Sequence, residues 1–145
     1  MHNQIFVNLP VADLTASKAF FARLGFTFNP AFTDEKAACM IIGENIYAML
    51  LTRPYFQGFI DRPVADPAAA AQVLLALPCE DRAAVDAIVA KAVAAGGKAP
   101  RQARDYGFMY QHSFDDLDGH IWEVFYMDMD ALPEDMKAKM GQAGQ

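Results

Sequence analysis

The sequence predicts an α+β fold: two βαβββ modules whose strands form a curved mixed sheet around a central cavity, with the helices on the outer face. Three observations carry that prediction. The pattern Leu-Pro-x-x-Asp occurs twice, as Leu9-Pro10-Val11-Ala12-Asp13 and as Leu77-Pro78-Cys79-Glu80-Asp81, 68 residues apart. Each copy follows a short apolar run and precedes a helical stretch that stops at glycine. Each helix is followed by a pair of strand-like runs joined by a turn.

Module 1 is expected over residues 3–53. Residues 4–9 alternate, with Ile5, Val7 and Leu9 on one face and Gln4, Phe6 and Asn8 on the other, the period of a strand. Asp13 is a good N-cap for a helix over 14–24, with Thr15 and Ser17 as rivals. Leu14, Phe21 and Leu24 lie on one stripe with Phe20 beside it, and Gly25 ends the helix. A short strand is expected at 26–28. Strands at 37–42 and 46–52 follow, joined by Gly43-Glu44-Asn45.

Residues 54–69 read as the linker, with Pro54, Pro63, Pro67 and Gly58 among Tyr55, Phe56 and Phe59. Module 2 spans 70–128 in the same order. Gln72 to Leu77 is a strand, with Val73, Leu75 and Leu77 on one face and Gln72, Leu74 and Ala76 on the other. Asp81 caps an Ala-rich helix running to Ala95, with Val85, Ile88, Val89, Ala92 and Val93 as its apolar stripe and Gly96-Gly97 as its stop. The repeat alone places a short strand near 98–102. Strands at 108–114 and 120–126 flank the turn Asp115-Asp116-Leu117-Asp118-Gly119. Residues 129–145 are a tail, with a short helix expected from Pro133 to Met140. The whole, 1–145, reads as one domain.

Composition narrows the function classes. A chain of 145 residues, 54% apolar, has enough material for a packed core. A net charge of −6 without a Lys/Arg block argues against nucleic acid, whose phosphates need cationic partners. The longest apolar stretch, 64–77, is interrupted by Asp66, Pro67 and Gln72, so no membrane span is expected. No signal peptide is legible, and Cys39 and Cys79 read as reduced, buried thiols of a cytoplasmic protein.

Matching the two halves at an offset of 68 pairs Gln4 with Gln72, Phe6 with Leu74 and Asn8 with Ala76. Matching Ile46-Tyr47-Ala48 to Ile121-Trp122-Glu123 aligns the last strands. The wholly apolar faces should pack on the helices. The opposite faces carry Gln4, Asn8, Gln72 and Glu123 and should line the cavity. In the apolar run Ile121-Trp122-Glu123-Val124-Phe125, Glu123 should face that cavity with Ile121 and Phe125. A carboxylate held there suits proton abstraction; a solvated edge glutamate is the competing reading. His112 shares a strand face with Tyr110; a lone strand histidine is more often a structural hydrogen-bond partner than a catalyst, and here it is a candidate ligand contact. His120, after the turn, is expected to be exposed. The aspartates of the turn lack the spacing of a calcium loop.

Three stretches resemble the vicinal oxygen chelate superfamily, which includes glyoxalase I, bleomycin-resistance proteins and extradiol dioxygenases. They are Phe6-Val7-Asn8-Leu9-Pro10-Val11-Ala12-Asp13-Leu14 with Ser17 to Gly25 after it, the helix end Ala94-Ala95-Gly96-Gly97, and Phe114 to Glu123. The likeness is greatest to uncharacterised bacterial glyoxalase-related proteins. The resemblance implies paired βαβββ modules, a small-molecule site and a homodimer. It also implies four metal-ligand positions, which fall here on Phe6, Leu74, Ala48 (or its neighbours Met49 and Leu50) and Glu123. Only Glu123 is a ligand type. A divalent metal, zinc or nickel, would have to rely on Glu123 with Gln4 and Gln72, a weak set. No other cofactor is implied.

Two functions therefore stand side by side. One is a lyase or isomerase acting on a thiol adduct of an aldehyde, like lactoylglutathione lyase, with Glu123 as base. The other is a metal-free protein that binds or sequesters a small molecule, with Phe6, Tyr55, Phe56, Gln72 and Glu123 as anchors. Around either site Gln4, Asn8, Leu74, Ala48, Phe125 and His112 are expected to contribute.

Overall fold

In the computed structural model, which describes residues 1–143, two four-stranded sheets are built on the same plan. The chain runs β1 (Ile5–Val11), α1 (Leu14–Arg23), β2 (Thr27–Asn29), β3 (Ala37–Gly43), β4 (Ile46–Thr52), α2 (Arg53–Gln57), β5 (Leu74–Pro78), α3 (Arg82–Ala94), β6 (Arg104–Asp105), β7 (Met109–Asp115), β8 (Ile121–Met127) and α4 (Glu134–Ala143). The strand orders are β1-β4-β3-β2 and β5-β8-β7-β6. The first strand of each sheet lies parallel to the last, β1 on β4 and β5 on β8, and the other pairs are antiparallel.

The duplicated aspartates do the same work twice. The Asp13 carboxylate accepts the Ala16 N–H at 3.0 Å and that of Asp81 accepts the Ala84 N–H at 2.7 Å. Each satisfies one of the donors that a helix start leaves open. Thr15 and Ser17 lie inside α1 and are not its cap.

Leu14, Phe20 and Phe21 of α1 are buried, with Leu24 just beyond the helix, as are Val85, Val89 and Ala92 of α3. They meet Leu9, Val11, Ala48 and Leu50 of the first sheet and Phe114, Trp122 and Val124 of the second in one continuous core. Burying each large apolar side chain contributes about 1.5–3 kcal/mol. Aromatic contacts cross from module to module: Phe20 lies 6.3 Å from Phe114 and Phe21 5.3 Å from Trp122, ring centre to ring centre.

A polar clasp reinforces that junction. Asp118, in the β7–β8 turn, accepts the Ala12 N–H at 2.8 Å and faces the Ser17 hydroxyl at 3.5 Å. The His120 ring, through Nε2, donates to the Pro10 carbonyl at 2.8 Å. His120 is thus half-buried and engaged, not exposed as the sequence suggested.

Three other elements differ from expectation. The strand near 98–102 shrinks to a single bridge, Lys98 with Asp115, and β6 forms later, at Arg104–Asp105. Gly97 explains the close approach: a Cβ there would lie 2.6 Å from the Asp115 carbonyl oxygen. The linker begins with α2, which carries Pro54 in its first turn, where a missing N–H costs nothing. Strand β5 starts at Leu74, so Gln72 and Val73 precede it.

Candidate functional site

Strand pairing fixes which side chains share a face. On β1 and β4, Phe6 pairs with Tyr47, Val7 with Ala48 and Asn8 with Met49. On β5 and β8, Leu74 pairs with Ile121, Leu75 with Trp122 and Ala76 with Glu123. Since Phe6 and Leu74 are repeat mates, Met49 is the counterpart of Glu123. Matching Ala48 to Glu123 was therefore one residue out, and a slip of one flips every side chain to the other face. Ala48 is 1% exposed and packs with Leu9 and Leu50 on the helix side, where no ligand reaches it.

His112 shares its strand face with Tyr110, as the alternation of the sequence predicts. It pairs with Val124 on the helix-side face of β7, yet it borders the same small pocket as Glu123, with its Nε2 3.1 Å from the Arg101 carbonyl. That contact anchors the segment leading to β6.

The remaining candidates do not converge on one cavity. Glu123 lies half-buried in a small pocket of about 150 Å³ with Leu74, Gln111, Ser113, Arg101 and Arg104. Asn8 lies in a wider pocket of about 410 Å³ on the first sheet, with Met49, Leu51, Phe32, Tyr55 and Phe59. Gln4 sits at the edge of β1 beside Glu44 and Asn45. Gln72 borders a third, apolar cavity below the linker. Phe6 stacks on Tyr47 at 4.7 Å and remains 47% exposed. Phe125 pairs with Pro78 and Gln111 on the Glu123 face.

The pocket around Glu123 has the richest chemistry. Gln111 donates its carboxamide N–H to the Glu123 carboxylate. The Arg101 Nε–H donates to the Ser113 hydroxyl at 2.7 Å, and its guanidinium pairs with Asp115. Arg104 has its pKa held above the ordinary range, chiefly by its hydrogen bond to Tyr106, with the Glu123 charge adding. Two guanidinium groups, one carboxylate, two carboxamides, an imidazole and a hydroxyl thus border one small volume, which suits a polar group of either charge. Arg101 and Arg104 were missed because they lie in a segment of little apolar content. The charge pattern of Arg101-Gln102-Ala103-Arg104 beside an expected strand was the available signal.

A metal does not fit these residues. At the positions where the superfamily resemblance puts ligands stand Phe6, Met49, Leu74 and Glu123. Among the described residues no three His, Cys, Asp or Glu side chains gather as a cation requires. Gln4 and Gln72, needed for the weaker set, border different cavities from Glu123.

Neither cysteine borders the pocket around Glu123. Cys39 is buried and Cys79 half-buried, both free, and burial pushes both thiols above their ordinary pKa, with Asp81 and Glu80 adding at Cys79. Among the described residues no helix is long and apolar enough to cross a membrane.

Residues 4–43 match the family model described as bleomycin resistance protein-like N-terminal. No curated protein matches the chain. Among solved structures, a hypothetical protein, SA1046, from S. aureus is 27% identical with a TM-score of 0.75, over 87% of this chain and 94% of that one. A glyoxalase-related enzyme from Fulvimarina pelagi is 22% identical with a TM-score of 0.74, over 87% and 88%. A glyoxalase/bleomycin resistance protein/dioxygenase family enzyme from Burkholderia phytofirmans PsJN is 18% identical with a TM-score of 0.69, over 84% and 96%.

Proposed function

We propose that this chain, which shares its fold with glyoxalase-related proteins and matches a bleomycin resistance protein-like N-terminal model over residues 4–43, is a small-molecule binding protein of the vicinal oxygen chelate superfamily that works without a resident metal. The observation that carries the reading is the pairing of apolar residues at three metal positions with a retained Glu123. A lyase with Glu123 as base would need a group to stabilise an enediolate, and Phe6, Met49 and Leu74 offer none. Binding needs only a polar anchor and an apolar wall. The Glu123 pocket supplies the anchor. Leu74 and Ile121, in the same pocket, supply the wall.

The proposal includes a homodimer. Ile5, Phe6, Val73 and Leu74 are each about half exposed at the first strands of the two sheets. A second copy would cover such apolar area, as a soluble chain requires. The two unpaired cysteines fit a reducing compartment such as the cytoplasm.

The test is a thermal-shift screen of small cationic, neutral and anionic compounds against the wild type and Glu123→Gln, with a turnover assay on the methylglyoxal–glutathione adduct. The variant should fold, since the amide is nearly isosteric and can still accept a hydrogen bond. It should lose cationic ligands more than neutral ones, and neither protein should turn over the adduct. Turnover by the wild type, abolished in Glu123→Gln, would establish the lyase reading instead.

A further inference from the structure

The segment from Gly58 to Val73 holds no helix or strand, long for a connection inside a compact unit and therefore a candidate for function. It is nevertheless pinned at both ends. The Gln57 carboxamide donates to the Arg62 carbonyl at 2.8 Å and accepts the Val64 N–H at 3.2 Å. Further on, Asp66 accepts the Ala68 N–H at 3.0 Å. Ala68 rests on Gly119, where a Cβ would lie 2.8 Å from the Ala68 Cα and where φ is +99°. Only glycine is at ease at that point.

Between the pins the segment forms a strap over β1 and β5. Beneath it lies a cavity of about 280 Å³ walled by Leu9, Phe56, Ile60, Val64, Leu75 and Ile121. Leu9 and Leu75 belong to the helix-side faces, opposite to those that carry Asn8 and Glu123. The cavity is partly open to solvent, and a ligand filling it would take its apolar lining out of water. Concave sites lined mostly by apolar side chains take up small molecules.

The polar groups set the ligand's charge. Only Arg62, Gln72 and His120 contribute polar side chains to the wall. Arg62 is exposed and pairs with Asp61 at 3.2 Å, and the His120 Nε2–H is committed to Pro10. The Gln72 carboxamide engages no other residue among those described. A charged group would gain no buried counter-charge from this wall, whereas apolar contact rewards an uncharged ligand. A neutral molecule with one hydroxyl or carbonyl would fill it and meet Gln72.

We infer that the strap-covered cavity between β1 and β5 is a second binding site, for a small uncharged apolar molecule such as a single aromatic ring bearing one hydroxyl. The site is independent of the reading of Glu123.

The test titrates p-cresol, and separately its charged counterpart p-toluate, into the ¹⁵N-labelled full chain. Saturable shifts are expected at Ile60, Val64 and Leu75 for p-cresol, with p-toluate at least tenfold weaker. Val64→Trp, which fills the cavity, should weaken p-cresol at least tenfold. Should that variant fail to fold, Ala70→Leu fills it from the exposed side. The inference is overturned by no saturable p-cresol shift, by shifts centred on Asn8 or Glu123, by equal affinity for p-toluate, or by unchanged affinity in a folded filling variant.

Discussion

The Trp122 indole N–H donates to one oxygen of Asp116 at 3.0 Å, and both residues are almost wholly out of solvent. The other oxygen of Asp116 accepts the backbone N–H groups of Asp118, Gly119 and His120 at 3.0, 3.1 and 3.0 Å. One carboxylate therefore shapes the turn that presents Asp118 and His120 to module 1. Asp116→Ala would leave four donors without this acceptor, each worth about 1–3 kcal/mol if buried and unpaired. A loss on the order of 3 kcal/mol is expected in urea unfolding, with water replacing part of the acceptor. A loss under about 1 kcal/mol would contradict the role assigned to Asp116.

The same carboxylate sets a pH dependence. Burial raises the Asp116 pKa above its ordinary 3.8, partly opposed by the charge of His120 and the Trp122 hydrogen bond. The folded state thus holds this proton more tightly than the unfolded one. The resulting contribution is fully present below the unfolded pKa and is lost as pH rises through the folded value. Asp116→Asn removes it. Relative to the variant, the wild type should lose stability between pH 4 and neutrality, read from urea midpoints of both proteins. A difference that is flat, or of opposite slope, would refute the assignment.

Gly97 is a packing requirement. A methyl there meets the Asp115 and Ala92 carbonyl oxygens at 2.6 and 3.0 Å and the Phe20 ring at 3.1 Å. Gly97→Ala should cost about 1–3 kcal/mol by overpacking. Gly141→Ala, in the open face of α4, should be neutral or stabilise by up to about 1 kcal/mol. Equal thermal midpoints for the two variants would remove Gly97 from the junction.

Metal analysis tests the proposal of a metal-free protein directly. Protein purified without added metal is expected to carry far less than one equivalent of zinc or nickel, and a chelator should leave its thermal midpoint unchanged. The motive is Phe6, Met49 and Leu74 where ligands would stand. One tightly held ion per chain would overturn it.

Where a repeated residue does a local job, the sequence was enough: Asp13 and Asp81 cap helices because an Asp side chain reaches only its own first turn. Strand faces were legible for β1, whose apolar side points to the helices. They were not legible for β4, where Ile46 to Leu51 is apolar throughout and gives no alternation to fix the register. That is why the sequence leaves Ala48, Met49 and Leu50 as alternatives for one position. The Glu123 pocket was half legible. The carboxylate stands out in an apolar strand, whereas Arg101 and Arg104 reach it from a segment without periodicity. Nor could the sequence show that Asn8 and Glu123 line separate pockets, which depends on how the two sheets are placed.

The clasp between the modules bears on what a protease would do. Ser17 is a buried hydroxyl of α1 that turns to Asp118 in the other module, and Phe20 and Phe21 lie against Phe114 and Trp122. Either half alone would uncover these rings and leave that hydroxyl without its carboxylate. The halves are therefore mutual templates, joined by the core more than by the peptide between them. A cut in the strap at 61–65 should yield two fragments that migrate together on a native gel and part only in denaturant. The strap could then be shortened, lengthened or opened into new chain ends without dissolving the molecule.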